Sequence, residues 1–149
     1  MVKIFIDADA CPVKTEIERI AIRHNLETYM VCDGGIRPPI NPLIQLVVVN
    51  QGEDAADDWI AGHIERADIC VTDDIPLSGR CLKKGAFVIK PNGNTFTNDN
   101  IGMALATREI MKGIRETGEI TGGPPPFSKA ERSKFLSQME MIIQKAIKY

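Results

Sequence analysis

The sequence has no apolar stretch approaching the roughly 20 residues that a membrane-spanning helix requires. Its first apolar run, Val2-Lys3-Ile4-Phe5-Ile6, is closed by Asp7 and is too short for a secretory signal. These absences predict a soluble, cytosolic protein with no membrane partner. Cysteine is sparse: Cys11, Cys32, Cys70 and Cys81 form no C-x-x-C pair, which argues against a structural zinc site or a dithiol redox motif. Histidine is sparser still, with His24 and His63 on predicted helices and in no evident constellation. A dominant charge sign is also missing. Charged residues make up 26% of the 149, yet the formal net charge is -2, so neither a basic coat for nucleic acid nor an acidic disordered tail is indicated. A nucleic-acid partner would have to be gripped by a local basic patch or through metal ions.

What is present is an ordinary core, at 44% hydrophobic residues, distributed in alternating elements. Val2 to Ile6 reads as a strand ending at Asp7. Pro12 fits the first turn of a helix that buries Ile17, Ile20 and Ala21 and runs to about Asn25. Glu27 to Cys32 reads as a second strand, followed by the turn Asp33-Gly34-Gly35 and the proline-stiffened loop Arg37 to Pro42. Leu46 to Val49 is apolar throughout, as a strand covered on both faces would be. A helix starting at Asp54 turns Ile60, Ala61 and Ile64 inward. Asp68 to Thr72 is a fourth strand, and Ile75 to Lys84 a short helix opened by Pro76. Ala86 to Ile89 is a fifth strand. Asn98 or Asn100 can cap a helix running to about Thr117. Gly118 to Pro126 is a breaker-rich linker, and Ser128 caps a last helix with Phe135, Leu136, Met139, Ile142, Ile143 and Ala146 on its apolar side. Strands alternating with helices predict an α/β fold: a mostly parallel sheet of about five strands with helices on both faces. Residues 1–118 read as the α/β domain, and 119–149 as a linker and helix packed on it.

In such sheets ligands bind outside the carboxyl ends of the strands, and here those ends are acidic. The first strand delivers Asp7, with Asp9 two residues on and on the same side of an extended chain. The fourth delivers Asp73 and Asp74. The helix after the third opens with Asp54, Asp57 and Asp58, which share one face at helical spacing. Like charges gathered this closely repel unless a cation neutralises them, and hard oxygen ligands suit Mg²⁺ or Mn²⁺. Two such ions about 3.5–4 Å apart can activate a water and stabilise the leaving oxygen of a phosphodiester. Asp7, Asp58 and Asp74 are the candidate catalytic residues, and Asp7, Asp9, Asp57, Asp58, Asp73 and Asp74 the candidate metal ligands. Local structure offers competing roles. Asp54 can be an N-cap with Asp57 in the reciprocal capping-box position, and Asp73 or Asp74 can cap the helix near Pro76. Arg37 and Lys90 are candidates to meet a substrate phosphate.

Four motifs in order resemble the YaiI/YqxD family of uncharacterised bacterial proteins: Ile6-Asp7-Ala8-Asp9-Ala10-Cys11-Pro12-Val13, Ala56-Asp57-Asp58-Trp59-Ile60, Val71-Thr72-Asp73-Asp74-Ile75-Pro76-Leu77 and Gly123-Pro124-Pro125-Pro126-Phe127. The resemblance spans essentially the whole chain. It implies a fold similar to PIN and NYN nuclease domains, in three layers, and hence RNA or DNA as the partner. Asp7 matches the aspartate that ends the first PIN strand, Asp57-Asp58 the paired acids opening a helix in NYN domains, and Thr72-x-Asp74 the threonine-x-aspartate after the fourth strand. Many PIN domains carry a fourth acid after the fifth strand. This chain has Lys90-Pro91-Asn92-Gly93-Asn94 there, so Asn92 or Asn94 would have to contribute an amide oxygen.

Two other functions remain open on sequence. A haloacid-dehalogenase-like phosphatase would use Asp7 and Asp9 as nucleophile and general acid, with Asp73-Asp74 on Mg²⁺. Against it, Cys11 stands where that class has Thr or Ser. A PIN-like module that grips nucleic acid or a protein without cutting is the other, consistent with the missing fourth carboxylate.

Overall fold

The structure, a computed structural model, describes residues 2–9, 11–37, 39–50, 52, 54–116 and 127–148. The predicted linker at 118–126 lies outside the described residues. The elements run β1 (Lys3–Asp7), α1 (Lys14–His24), β2 (Glu27–Cys32), β3 (Ile44–Val48), α2 (Ala55–His63), β4 (Ile69–Val71), α3 (Ile75–Lys83), β5 (Phe87–Ile89), β6 (Thr95–Phe96), α4 (Ile101–Glu116) and α5 (Lys129–Lys148). The sheet order is β3-β2-β1-β4-β5-β6, parallel except for β6. The expected architecture is therefore present, with a sixth strand in place of about five. β6 is two residues long and pairs antiparallel to β5 through a tight turn, too short to leave a periodic signature in sequence.

Alternation along each strand sorts the core into two layers. On β1, Ile4 and Ile6 face α1 and α5, whereas Phe5 faces α2 and α3. The first layer closes over Ile17, Ile20 and Ala21 of α1 and Phe135, Met139, Ile142 and Ile143 of α5. The second holds Ile60, Ala61 and Ile64 with Leu77, Cys81 and Leu82. Full burial of a side chain such as Phe5 or Phe135 contributes about 1.5–3 kcal/mol. Leu136, expected on the apolar side of α5, lies at its margin and is 38% exposed. α5 opens with a reciprocal capping box: the Ser128 hydroxyl accepts the Glu131 N–H, and Glu131 accepts the Ser128 N–H. At the start of α4, Asn100 immediately precedes the helix, as expected, and pairs reciprocally with Thr97: Thr97 Oγ1 accepts the Asn100 N–H while Asn100 Oδ1 accepts the Thr97 N–H. α4 rests on α3, with Ile101 and Leu105 beside Gly79.

The apolar run at β3 is covered on both faces as expected, Leu46 packing on one core layer and Val47 and Val49 on the other, but β3 is the outer strand of the sheet and Val48 is 61% exposed. Among the described residues no helix is long and apolar enough to cross a membrane.

Candidate functional site: an acidic cleft at the strand ends

β1 and β4 are neighbours in the sheet, but the chain leaves β1 towards β2 and leaves β4 towards β5. This reversal opens a crevice at their carboxyl ends, the usual ligand position in open parallel sheets. A cleft of about 190 Å³ lies there, lined by Asp7, Asp9, Cys11, Thr72, Asp73 and Pro91. It is smaller than the ~300–1,000 Å³ typical of organic ligand pockets, a size suited to ions or a phosphate group.

Thr72 organises the cleft. It is buried at the end of β4, and its Oγ1 donates to Asp7 Oδ2 at 3.0 Å and accepts the Asp74 N–H at 3.0 Å. One hydroxyl therefore ties the β1 carboxylate to the β4–α3 turn. Asp74, not Asp73, is the N-cap of α3: its Oδ1 accepts the Leu77 N–H at 2.7 Å. Asp73 is exposed and lines the cleft. Asp9 is also exposed, and its carboxylate accepts the Asp33 N–H at 3.2 and 3.3 Å.

The two acids at the start of α2 part ways. Asp57 turns towards β1 and β4, within electrostatic reach of Asp74 and Asp7. Burial, then the charges of Asp74 and Asp7, push the Asp57 carboxyl up to about 7. Asp7 is also raised, first by burial and then by Asp74, Asp9 and Asp73, against the lowering effect of the Thr72 bond. Asp58, the sequence candidate, points outward and pairs with Arg80 at 2.8 Å. Asp54 occupies the N-cap position of α2, but its side chain makes no capping bond. The spacing held the distinguishing signal. Asp57 stands three, four and seven residues before Ile60, Ala61 and Ile64, the inward face of the helix, and Asp58 does not.

The remaining candidates sit on the rim or away from it. Lys90 lies over the Phe96 ring at 5.7 Å. Asn92 Oδ1 accepts the Asn94 N–H at 2.9 Å, and Asn94 Oδ1 accepts from Lys134. Arg37 is exposed on the β2–β3 loop. His24 bonds Glu140, and His63 stacks on Trp59 with ring centres 3.9 Å apart. Burial pushes the Cys11 thiol up to about 11, so it is an uncharged wall of the cleft and not a nucleophile. Thr72 and Pro91 were absent from the sequence-derived set of site residues, although Thr72 belongs to the Thr-x-Asp motif.

The carboxylates are hard oxygen donors of the kind that Mg²⁺ and Mn²⁺ prefer. As the side chains stand, however, no group of three His, Cys, Asp or Glu among the described residues is set to hold an ion. Asp74, Asp9 and Asp58 are each engaged by a protein partner. The donor chemistry suits a divalent cation, but the described side chains are not arranged around one.

Residues 5–145 match the family model described as "Uncharacterized BCR, YaiI/YqxD family". A UPF0178 protein of Paramagnetospirillum magneticum is 52% identical over 146 residues, covering 98% of this chain and 97% of that protein. A UPF0178 protein of Rhodopseudomonas palustris is 52% identical over 145 residues, 97% and 92% of the two chains. One from Cereibacter sphaeroides is 51% identical over 147 residues, 98% and 91%. With residues 5–145 matched by the family model and 97–98% of its length shared with these relatives, the chain belongs to the YaiI/YqxD family of uncharacterised bacterial proteins.

Proposed function

We propose that the protein is a Mg²⁺- or Mn²⁺-dependent nuclease that hydrolyses phosphodiester bonds of RNA or DNA, with Asp7, Asp57 and Asp74 as its acidic centre. The observation that carries this reading is the convergence of these carboxylates, from β1, α2 and the β4–α3 turn, at the switch point of the sheet. Burial first, and then mutual repulsion, raise the Asp7 and Asp57 carboxyls, and a divalent cation relieves the repulsion. Such an ion, when bound, supplies a more acidic water and charge compensation for the leaving oxygen. The chain's own residues do the rest. Thr72 fixes Asp7 and the Asp74 backbone. Asp57 joins Asp7 and Asp74 once its raised carboxyl is ionised, and Asp9 and Asp73 serve as further acidic groups on the cleft. Lys90 and Arg37 meet the phosphate backbone, with Asn92 and Asn94 beside them. The likeness of the sequence motifs to PIN and NYN domains points the same way. Asp58, held by Arg80, has no part in the centre.

A second reading, a PIN-like module that binds nucleic acid without cutting it, is favoured by one observation. The amide oxygens of Asn92 and Asn94, the only stand-ins for a fourth acid after β5, are already engaged by Asn94 and Lys134. The discriminating assay compares wild type with Asp74→Asn on labelled single-stranded RNA and DNA in Mn²⁺. Asparagine caps a helix as well as aspartate does, so the variant keeps the fold while losing a negative charge. The nuclease reading expects slow cleavage by wild type and none by the variant. Equal cleavage by both would indicate a contaminant. Binding without cleavage by either would establish the module.

A further inference from the structure

We infer that the open edge of β3 is a self-association surface, on which a second copy of this chain pairs its own β3 antiparallel across a two-fold axis. The register of β3 against β2, with Thr28 N–H donating to Leu43 O and Val49 N–H donating to Cys32 O, assigns the odd-numbered residues of β3 to bonds with β2. In a parallel pair the alternate residues then direct both N–H and C=O to the other side. On β3 these are Ile44, Leu46 and Val48. The Ile44 N–H is taken by Asn41 O, and no strand among the described residues pairs with that side. Ile44-Gln45-Leu46-Val47-Val48 carries no charge and no proline. Natural edge strands are ordinarily kept apart by a lysine, a proline or a bulge, and this strand has none of these within it.

The occupant follows from symmetry. Centred on Leu46, an antiparallel dyad sets Leu46 opposite the partner's Leu46, and Ile44 opposite the partner's Val48. These are the residues whose backbone groups point outward: the Leu46 pair exchanges both of its bonds, and each Val48 N–H donates to the partner's Ile44 carbonyl, the Ile44 N–H being held by Asn41 O at 3.0 Å. Gln45 then lies opposite the partner's Val47 in the non-bonded sites. A two-fold axis brings identical residues close to one another, and a charged strand would repel itself there. Here every facing pair is neutral. Val48, at 61% exposure, is the strand residue whose side chain has the most surface left to cover, whereas Ile44 opposite it is already buried in the core. Pro42, which has no N–H, falls opposite the partner's Asn50 and stops the ladder at the strand's end. The inference is independent of the chemistry proposed for the cleft.

Sedimentation velocity of the full chain across a concentration series is the test, with Val48→Lys and Val48→Pro as variants. The Val48 N–H is not used by β2, so proline removes only an outward donor. Wild type is expected at twice the 16.4 kDa chain mass, and both variants at the chain mass with unchanged far-ultraviolet dichroism. A wild type that stays monomeric at its highest soluble concentration would overturn the inference. So would a dimer that survives both substitutions, since its contact would then lie elsewhere, for instance on the exposed Met103 and Ile110 of α4. If a variant fails to fold, hydrogen exchange of wild type decides. Protected Leu46 and Val48 amides support the pairing, and exchange as fast as at an open edge refutes it.

Discussion

Gly93→Ala tests how α5 is seated on the rest of the protein. Gly93 sits in the β5–β6 turn at φ +92°, where an L residue is strained by roughly 1–2 kcal/mol. A Cβ there would stand 2.6 Å from Lys134 Cγ, 2.8 Å from the Lys134 carbonyl carbon and 2.9 Å from the Phe135 nitrogen. Two of these are backbone atoms of α5, so a rotamer change cannot relieve the overlap, and the helix must move. That helix carries Phe135, Met139 and Ile143, all fully buried. Overpacking of this kind costs about 1–3 kcal/mol, for a total near 2–5 kcal/mol against a typical domain stability of ~5–15 kcal/mol. Gly35→Ala supplies the reference. Gly35 has φ +79°, but its Cβ would meet nothing within 4 Å, so it carries the strain alone. Both substitutions reduce the freedom of the unfolded chain similarly, and that effect cancels in the comparison. Urea unfolding of the two variants beside wild type measures the difference. A Gly93→Ala midpoint loss no larger than that of Gly35→Ala would refute the seating of α5 on the hairpin.

Further outcomes follow from the acidic cleft. Asp57 has a folded pKa raised from 3.8 to about 7, so the stability linked to its proton is fully present below about pH 4 and is lost as pH rises through 7. Metal-free wild type should therefore melt at lower temperature at pH 8 than at pH 5, and Asp57→Asn should flatten that slope in a thermal scan. Mn²⁺ should raise the melting temperature of wild type and Asp58→Ala alike, because an ion that binds only the folded state stabilises it; Asp7→Asn and Asp57→Asn should lose this response. Asp74→Ala, which removes a cap bond, should cost about 1 kcal/mol in urea unfolding, whereas Asp54→Ala should cost only a few tenths. Equal losses from the last two would contradict the capping geometry.

The alternation of strands and helices was legible because each parallel strand is apolar and each helix carries a stripe. Asp7 was legible because nothing local explains a carboxylate at the end of an apolar strand. Less visible was which acid of the Asp57-Asp58 pair turns inward. Successive helical residues differ by about 100°, and the roll of α2 on the sheet is set by Ile60, Ala61 and Ile64, whose spacing to Asp57 was available but unread. The position of β3 at the sheet's edge could not be read from its side chains, since an apolar run looks the same at the centre and at the margin. Nor could the part played by Thr72, whose hydroxyl matters only because β1 and β4 are neighbours.

The most direct test of the proposed centre is the anomalous signal from a crystal of the protein soaked in Mn²⁺ near pH 8, where Asp57 has lost its proton. A peak bounded by carboxylate oxygens of Asp7, Asp57 and Asp74, absent from Asp57→Asn crystals, is the predicted result. A saturating soak with no ion there, or with manganese held by Asp58 and not by Asp57, would contradict it.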